Sequence, residues 1–196
     1  LYNADGQMVA SATPLGEVPL DLEAAAALRR HPEFRVVRGV DESEHSVQIQ
    51  VPLLQRALKD FRLVPIVVGN VDGETIKRMA AILQGIVDDK TLVVASSDFT
   101  HYGRDYGYVP FEDNIPLNLE ELDMGAWEKI QKKDAAGFAD YVDDTGATIC
   151  GRYPISILLS MLPADSQAHL LKYDTSGRMT GDERMSVSYL SLAFTG

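Results

Sequence analysis

Cysteine is nearly missing from this sequence: Cys150 is the only one in 196 residues, so no internal disulfide can form. That excludes a disulfide-stapled scaffold and fits a reducing compartment; a cytoplasmic protein is expected. Basic residues are also scarce. The 18 Lys plus Arg stand against 29 Asp plus Glu, a formal charge of −11. Short basic pairs such as Arg29-Arg30 and Lys132-Lys133 stand isolated, and no cluster of the kind that binds phosphate occurs. A nucleic-acid partner and an anionic membrane surface are therefore both disfavoured. No apolar run approaches the roughly 18 residues of a membrane span. Leu1 to Gly6 carry no basic stretch followed by an apolar one, so no secretory signal is expected there. There is no internal repeat or low-complexity tract. GxGxxG, Walker and GxSxG motifs are absent, which leaves nucleotide binding and serine hydrolysis without support.

What is present is ordinary globular material, 45% hydrophobic and 24% charged, in a chain long enough to bury a real core. Residues 1–20, with Gly6, Pro14, Gly16 and Pro19, read as turns and irregular chain. Asp21 is placed to cap a helix over Leu22 to Arg30, which His31-Pro32 ends. Phe34 to Val40 reads as a short strand. Ser43 to Phe61 fits two periods. Val47, Ile49 and Val51 alternate as in a strand, while Val47, Val51, Leu54 and Leu58 share a helical face that Ser43 could cap and Pro52 would kink.

Leu63 to Val68 is a compact apolar run, Asp72 then caps a helix through Ile76, Met79, Leu83, Ile86 and Val87, and Thr91 to Ala95 is a second run. Two buried strands joined by a helix predict a βαβ unit. Leu119, Leu122, Ala126, Trp127 and Ile130 mark another helix, and Asp134 caps one with Phe138, Tyr141 and Val142. Pro154 suits a helix start before Ile155 to Leu162, and Leu170 to Tyr173 and Val187 to Phe194 read as closing strands. The expected fold is one α/β domain over residues 1–196, with a central mixed, largely parallel sheet flanked by helices.

Three short motifs carry candidate chemistry. In Ser96-Ser97-Asp98-Phe99-Thr100-His101-Tyr102, a carboxylate stands three residues from an imidazole, directly after an expected strand. Strand carboxyl ends are where α/β proteins bind ligands. Asp98 and His101 could share a metal or form a hydrogen-bonded pair; equally, Asp98 could cap a helix and His101 decorate a loop. In Glu44-His45-Ser46 the histidine is either a ligand or a packed or capping residue. Cys150, in Thr148-Ile149-Cys150-Gly151-Arg152, precedes a helix start, and both that start and Arg152 would favour a thiolate. Its alternative is a small buried hydrophobe. The Tyr102 to Tyr108 run is either a mobile loop or a packed one. His31 and His169 receive no role.

Taken in order, Glu44-His45-Ser46, Ser96 to Tyr102, Cys150-Gly151-Arg152 and Ser186-Val187-Ser188-Tyr189 resemble the Memo-like family, called AmmeMemoRadiSam system protein B in prokaryotes. Thr13 to Asp21 resembles its prokaryotic members as well. The resemblance tips Ser43 to Phe61 to a helix. It implies a fold like that of the class III extradiol non-haem iron dioxygenases, with a metal site. His45 and Cys150 match family metal-site residues, and Asp98 and His101 match the Asp-x-x-His element beside the metal. The four residues are the expected metal set, with His101 and Asp98 as the expected catalytic pair. The family also has an earlier Pro-His-Ala-Gly type motif with a further His ligand. No such motif stands in this sequence, so the 196 residues are expected to be the larger, C-terminal part of the domain.

A His, His, Cys set is softer than a two-His-one-carboxylate triad and suits copper or zinc, with iron still compatible. The expected function is a metal-dependent oxidoreductase. The alternatives are a metal-binding interaction protein without turnover and a zinc-dependent hydrolase. The family's association implies radical-SAM and AMMECR1-like protein partners, beside a small-molecule or peptide ligand.

Overall fold

A computed structural model describes residues 8–37, 39–40 and 44–196. The backbone divides into two compact units, Leu1–Asn70 with Ile82–Thr91, and Val71–Ala81 with Leu92–Gly196. Each is considered by itself.

The first unit opens with a hairpin where the sequence suggested irregular chain. Strands β1 (Ala10–Thr13) and β2 (Gly16–Pro19) pair antiparallel, with Thr13 opposite Gly16. Pro14 and Leu15 form the two-residue turn. The Thr13 hydroxyl accepts from the Leu15 N–H at 3.1 Å and donates to the Gly16 carbonyl at 3.0 Å. Gly16 has φ +120°, a backbone that a side chain would strain. Proline and glycine here serve a hairpin, and the strands they join are too short to show a period.

Helix α1 (Leu22–Leu28) starts as expected, with the Asp21 carboxylate accepting the Ala24 N–H at 2.9 Å. Helix α2 (Ser46–Ala57) decides the ambiguous stretch for a helix, with Pro52 inside it and Val51 buried. The proposed cap Ser43 lies outside the described residues. The cap is instead His45, whose side chain makes no capping bond, while the Glu44 carboxylate accepts the Ser46 N–H at 2.8 Å. That backbone bond, with the Ser46 hydroxyl, holds the Glu44 carboxyl below the usual carboxylate range.

The division between units falls within helix α3 (Gly73–Gln84). The Asp72 carboxylate accepts the Thr75 N–H at 2.7 Å, and Ile76, Met79 and Ala80 are buried. The helix stops short of Ile86 and Val87.

In the second unit, helix α4 (Ile115–Gln131) buries Leu119, Asp123, Ala126, Trp127 and Ile130, one stripe at helical spacing. Helix α5 (Ala135–Thr145) begins where the Asp134 carboxylate accepts the Gly137 N–H and ends at Gly146, φ +67°. Helix α6 (Arg152–Met161) begins two residues before Pro154. Their apolar faces, with Phe99, Ala147 and Ile149, form the core around the fully buried Phe138. Strand β3 (His101–Gly103) is followed by β4 (Gln167–Thr175), the short helix α7 (Ser176–Thr180) and β5 (Met185–Thr195). The sheet order is β3-β5-β4, antiparallel throughout, and Ala168, Leu170, Leu190, Leu192 and Phe194 pack on the core.

The chain is thus α/β, but the largely parallel sheet does not appear in these ladders. Among the described residues both sheets are antiparallel, and the one parallel contact is an isolated bridge between Leu20 and Leu63. Beyond that bridge, Leu63 to Val68 and Thr91 to Ala95 join no ladder, and Leu92 is 62% exposed. Phe34 to Val37 is likewise not a strand, and Arg38, within the expected strand, lies outside the described residues. An apolar β-branched run shows what suits a doubly covered strand; it does not supply the neighbouring strands that make one.

Candidate metal centre

Three of the four expected site residues meet in the second unit. Asp98, His101 and Cys150 each offer one ligand atom, all within 4.8 Å of one another. The fourth, His45, belongs to the first unit, where it is exposed at the start of α2.

Local sequence explains the meeting of the three. Residues 98–101 lead into β3, and His101 pairs with Val187 of β5. The Phe99 N–H donates to the Ser188 carbonyl at 2.9 Å, and the Ser188 N–H donates to the Thr100 carbonyl at 3.0 Å, so the pairing reaches back beside Asp98. Thr148 clasps His101 from the other side. Its hydroxyl accepts the His101 N–H at 2.9 Å and donates to the His101 carbonyl at 2.7 Å. Cys150 follows two residues later, immediately before the Gly151 cap of α6.

The Cys150 sulfur accepts the Asp98 N–H at 3.2 Å and lies 3.8 Å from the Ser97 hydroxyl. Arg152 does not contribute as the sequence suggested: its guanidinium is 2.7 Å from the Asp143 carboxylate and lies over the Tyr153 ring. The Asp98 carboxylate stands 3.7 Å from His101 Nε2, too long for a hydrogen bond. Nε2 is buried and has no hydrogen-bond partner. The Tyr106 ring meets the imidazole edge-on at 5.1 Å. An orphaned imidazole nitrogen facing a carboxylate and a sulfur fits a transition metal, which would satisfy all three donors at once.

Glycine at 151 is required by close approach. Its N–H donates to the Ser97 hydroxyl at 2.9 Å, and a Cβ there would run into the Ser97 side chain and sit 3.0 Å from the Ser96 carbonyl oxygen. Gly151→Ala is expected to push the Ser97-Asp98 segment off the sulfur and to cost about 1–3 kcal/mol by overpacking. Thermal unfolding of the variant checks it; an unchanged midpoint would show that Ser97 moves aside freely.

Beneath the site is a buried polar group that the sequence reading missed. Asp123 on α4 is fully buried. Its Oδ1 accepts the Thr100 hydroxyl at 2.7 Å and the Thr100 N–H at 3.3 Å, and its Oδ2 accepts the Tyr173 hydroxyl at 3.0 Å. Burial raises the carboxyl above its ordinary range, against the opposing pull of Ser188, Thr100 and Tyr173. One signal was available: Asp123 lies four residues from both Leu119 and Trp127, on the apolar stripe.

The Tyr102 to Tyr108 run is held at both ends, while Arg104 to Gly107 between them are exposed. The Tyr102 hydroxyl donates to the Phe111 carbonyl at 2.6 Å, and the Tyr108 hydroxyl donates to the Thr145 carbonyl at 2.8 Å. His169 lies on β4, its Nε2 3.1 Å from the Thr195 hydroxyl. No described helix is long and apolar enough to cross a membrane.

Comparison with known proteins agrees with the motif order. The chain is 33% identical to a "MEMO1 family protein" of Thermococcus onnurineus over 93% of its own length and 67% of the relative's. It is 32% identical to the corresponding protein of Thermococcus kodakarensis over the same shares. It is also 31% identical to "Protein memo-1 homolog" of Caenorhabditis elegans over 91% of this chain and 55% of that one. The chain thus spans about two thirds of the length of the archaeal relatives and about half of the worm protein. A family model described as "Memo-like protein" matches residues 6–193, and the chain belongs to that family.

Proposed function

We propose that this chain binds a transition metal through Asp98, His101 and Cys150 and serves as a non-haem, metal-dependent oxidoreductase. The observation that carries the metal is the buried, unpartnered His101 Nε2 facing two further donors. Thiolate and imidazole together suit copper or zinc, with iron compatible. Family resemblance adds His45 as a further candidate ligand. When bound, copper or iron would supply one-electron chemistry with dioxygen, and zinc would supply an acidified water. The protein's own part is to hold the imidazole, through the Thr148 clasp, and to keep a carboxylate beside it. The Asp98 side chain is 47% exposed, so a substrate can reach the site beside it.

The arrangement like the class III extradiol dioxygenases belongs to the same proposal and rests on the family resemblance. It would need Leu63 to Val68 and Thr91 to Ala95 to find strand partners. The radical-SAM and AMMECR1-like partners and the cytoplasmic setting rest on family association and on the lone cysteine.

Elemental analysis of the purified protein, followed by oxygen uptake with ascorbate as reductant, tests the reading. The expected result is bound metal at near one equivalent and uptake by the copper- or iron-loaded protein, lost in Asp98→Asn. Bound metal with no uptake above the metal-free protein would overturn the oxidoreductase in favour of a binding protein. Oxygen-independent hydrolysis of an activated ester by the zinc form would favour the hydrolase.

A further inference from the structure

We propose that Asp123 is a positioning residue for this metal centre: it fixes Thr100, and through Thr100 it holds Asp98 and His101 on the side of the chain that meets Cys150. The inference rests on the metal reading above.

Asp123 is out of place for a merely structural residue. Its helix buries Leu119, Ala126, Trp127 and Ile130 on the same stripe, and an apolar side chain would complete that face without any hydrogen-bonding demand. A carboxylate there must find donors, and it finds them on the site segment. Oδ1 takes both the N–H and the hydroxyl of Thr100, which is itself fully buried. Oδ2 takes the Tyr173 hydroxyl from β4, and Ser188 of β5 lies 3.5 Å from that same hydroxyl.

Thr100 is two residues after Asp98 and one before His101. The torsions on either side of it therefore decide whether the carboxylate and the imidazole point together. The strand pairing with Ser188 fixes Phe99 and the Thr100 carbonyl, and Thr148 fixes the His101 backbone. Both leave the Thr100 N–H and side chain to Asp123. Loss of a partner bonded directly to a ligand typically weakens metal binding about 10- to 100-fold, and Asp123, which acts through the residue between two ligands, is expected at the lower end of that range.

The test uses Asp123→Asn, Thr100→Val and Thr100→Ser, with two readouts. One is hydrogen–deuterium exchange of the amides of residues 98–101 in metal-free protein; the other is cobalt(II) affinity. Asn turns one carboxylate oxygen into an amide nitrogen, and Val removes the hydroxyl at constant shape. Both are expected to speed exchange at Asp98 and Thr100 and to weaken cobalt binding by about 10-fold or more. Thr100→Ser keeps the hydroxyl and is expected to restore both towards wild type. Wild-type exchange and affinity in the Asn and Val variants would overturn the proposal, and so would a Ser variant that behaves like Val. If Asp123→Asn does not fold, Thr100→Val decides. If neither folds, Thr100→Ala, which removes the hydroxyl that Oδ1 accepts, must speed the same amides for the proposal to stand. If the wild type itself takes up no cobalt, the metal reading fails, and exchange still decides whether Asp123 holds the segment.

Discussion

Replacing Cys150 with alanine is expected to weaken cobalt(II) or zinc(II) binding by at least about 100-fold, the upper end of what losing even an indirect ligand partner costs. The sulfur is the one soft donor of the cluster and, among the described residues, one of three donors that lie within 4.8 Å of one another. Removing it leaves an imidazole and a half-exposed carboxylate, a pair with little hold on a borderline-soft ion. The fold should hardly notice. Cys150 is exposed, and water can replace the sulfur at the Asp98 N–H, so unfolding free energy should stay within about 0.5 kcal/mol. Competition against a coloured chelator measures the affinity, and loss of the cobalt–thiolate absorption band shows which atom was lost. Retained affinity in a folded Cys150→Ala protein would remove the sulfur from the site.

Phe138→Ala, by contrast, should leave the metal donors alone and damage the fold. The Phe138 ring is fully buried on α5, in the core that joins Trp127 and Ile130 of α4 to Ile155 and Leu159 of α6. Truncating a phenylalanine in such a place costs about 3–5 kcal/mol, the lost transfer energy plus a cavity that the neighbours only partly refill. Urea unfolding followed by Trp127 fluorescence reports on this core, and the midpoint should fall with little change in slope. Leu117→Ala on the solvent side of α4 is the control. That side chain is 69% exposed, and its loss should change stability by no more than about 0.5 kcal/mol. A Phe138→Ala protein as stable as this control would mean the core is not packed as described.

How far the sequence revealed these features follows from the range of the interactions involved. Helices were legible because their signals are local. Asp21, Asp72 and Asp134 cap within three residues, and Leu119, Ala126, Trp127 and Ile130 repeat within eleven. β4 and β5 were found, a few residues too short, from their apolar content. Their antiparallel pairing was not legible, because register is decided between residues such as Gln167 and Thr195, far apart in the chain. The hairpin of residues 10–19 was missed because four-residue strands have almost no period to detect.

The site divides in the same way. Asp98 and His101 stand three apart and form a pair in the sequence itself, while Cys150 and His45 each stood out singly and the resemblance joined them to that pair. The polar layer under them was invisible, since Asp123 reaches Thr100 across 23 positions and Tyr173 across 50. Arg152 shows the opposite failure. Adjacency to Cys150 suggested an electrostatic role, but the helix turns its guanidinium to Asp143.

The bare run Leu92 to Val94 also bears on how the protein behaves in a tube. Leu92, Val93 and Val94 are strand formers in contact with water, the composition of an adhesive segment. Opposing it is the surplus of acidic groups, a formal −11 that makes copies repel one another. Colloidal stability is then a balance between a short sticky segment and long-range repulsion. Concentrated salt, or acid enough to discharge the carboxylates, tilts that balance towards self-association without any change in the fold.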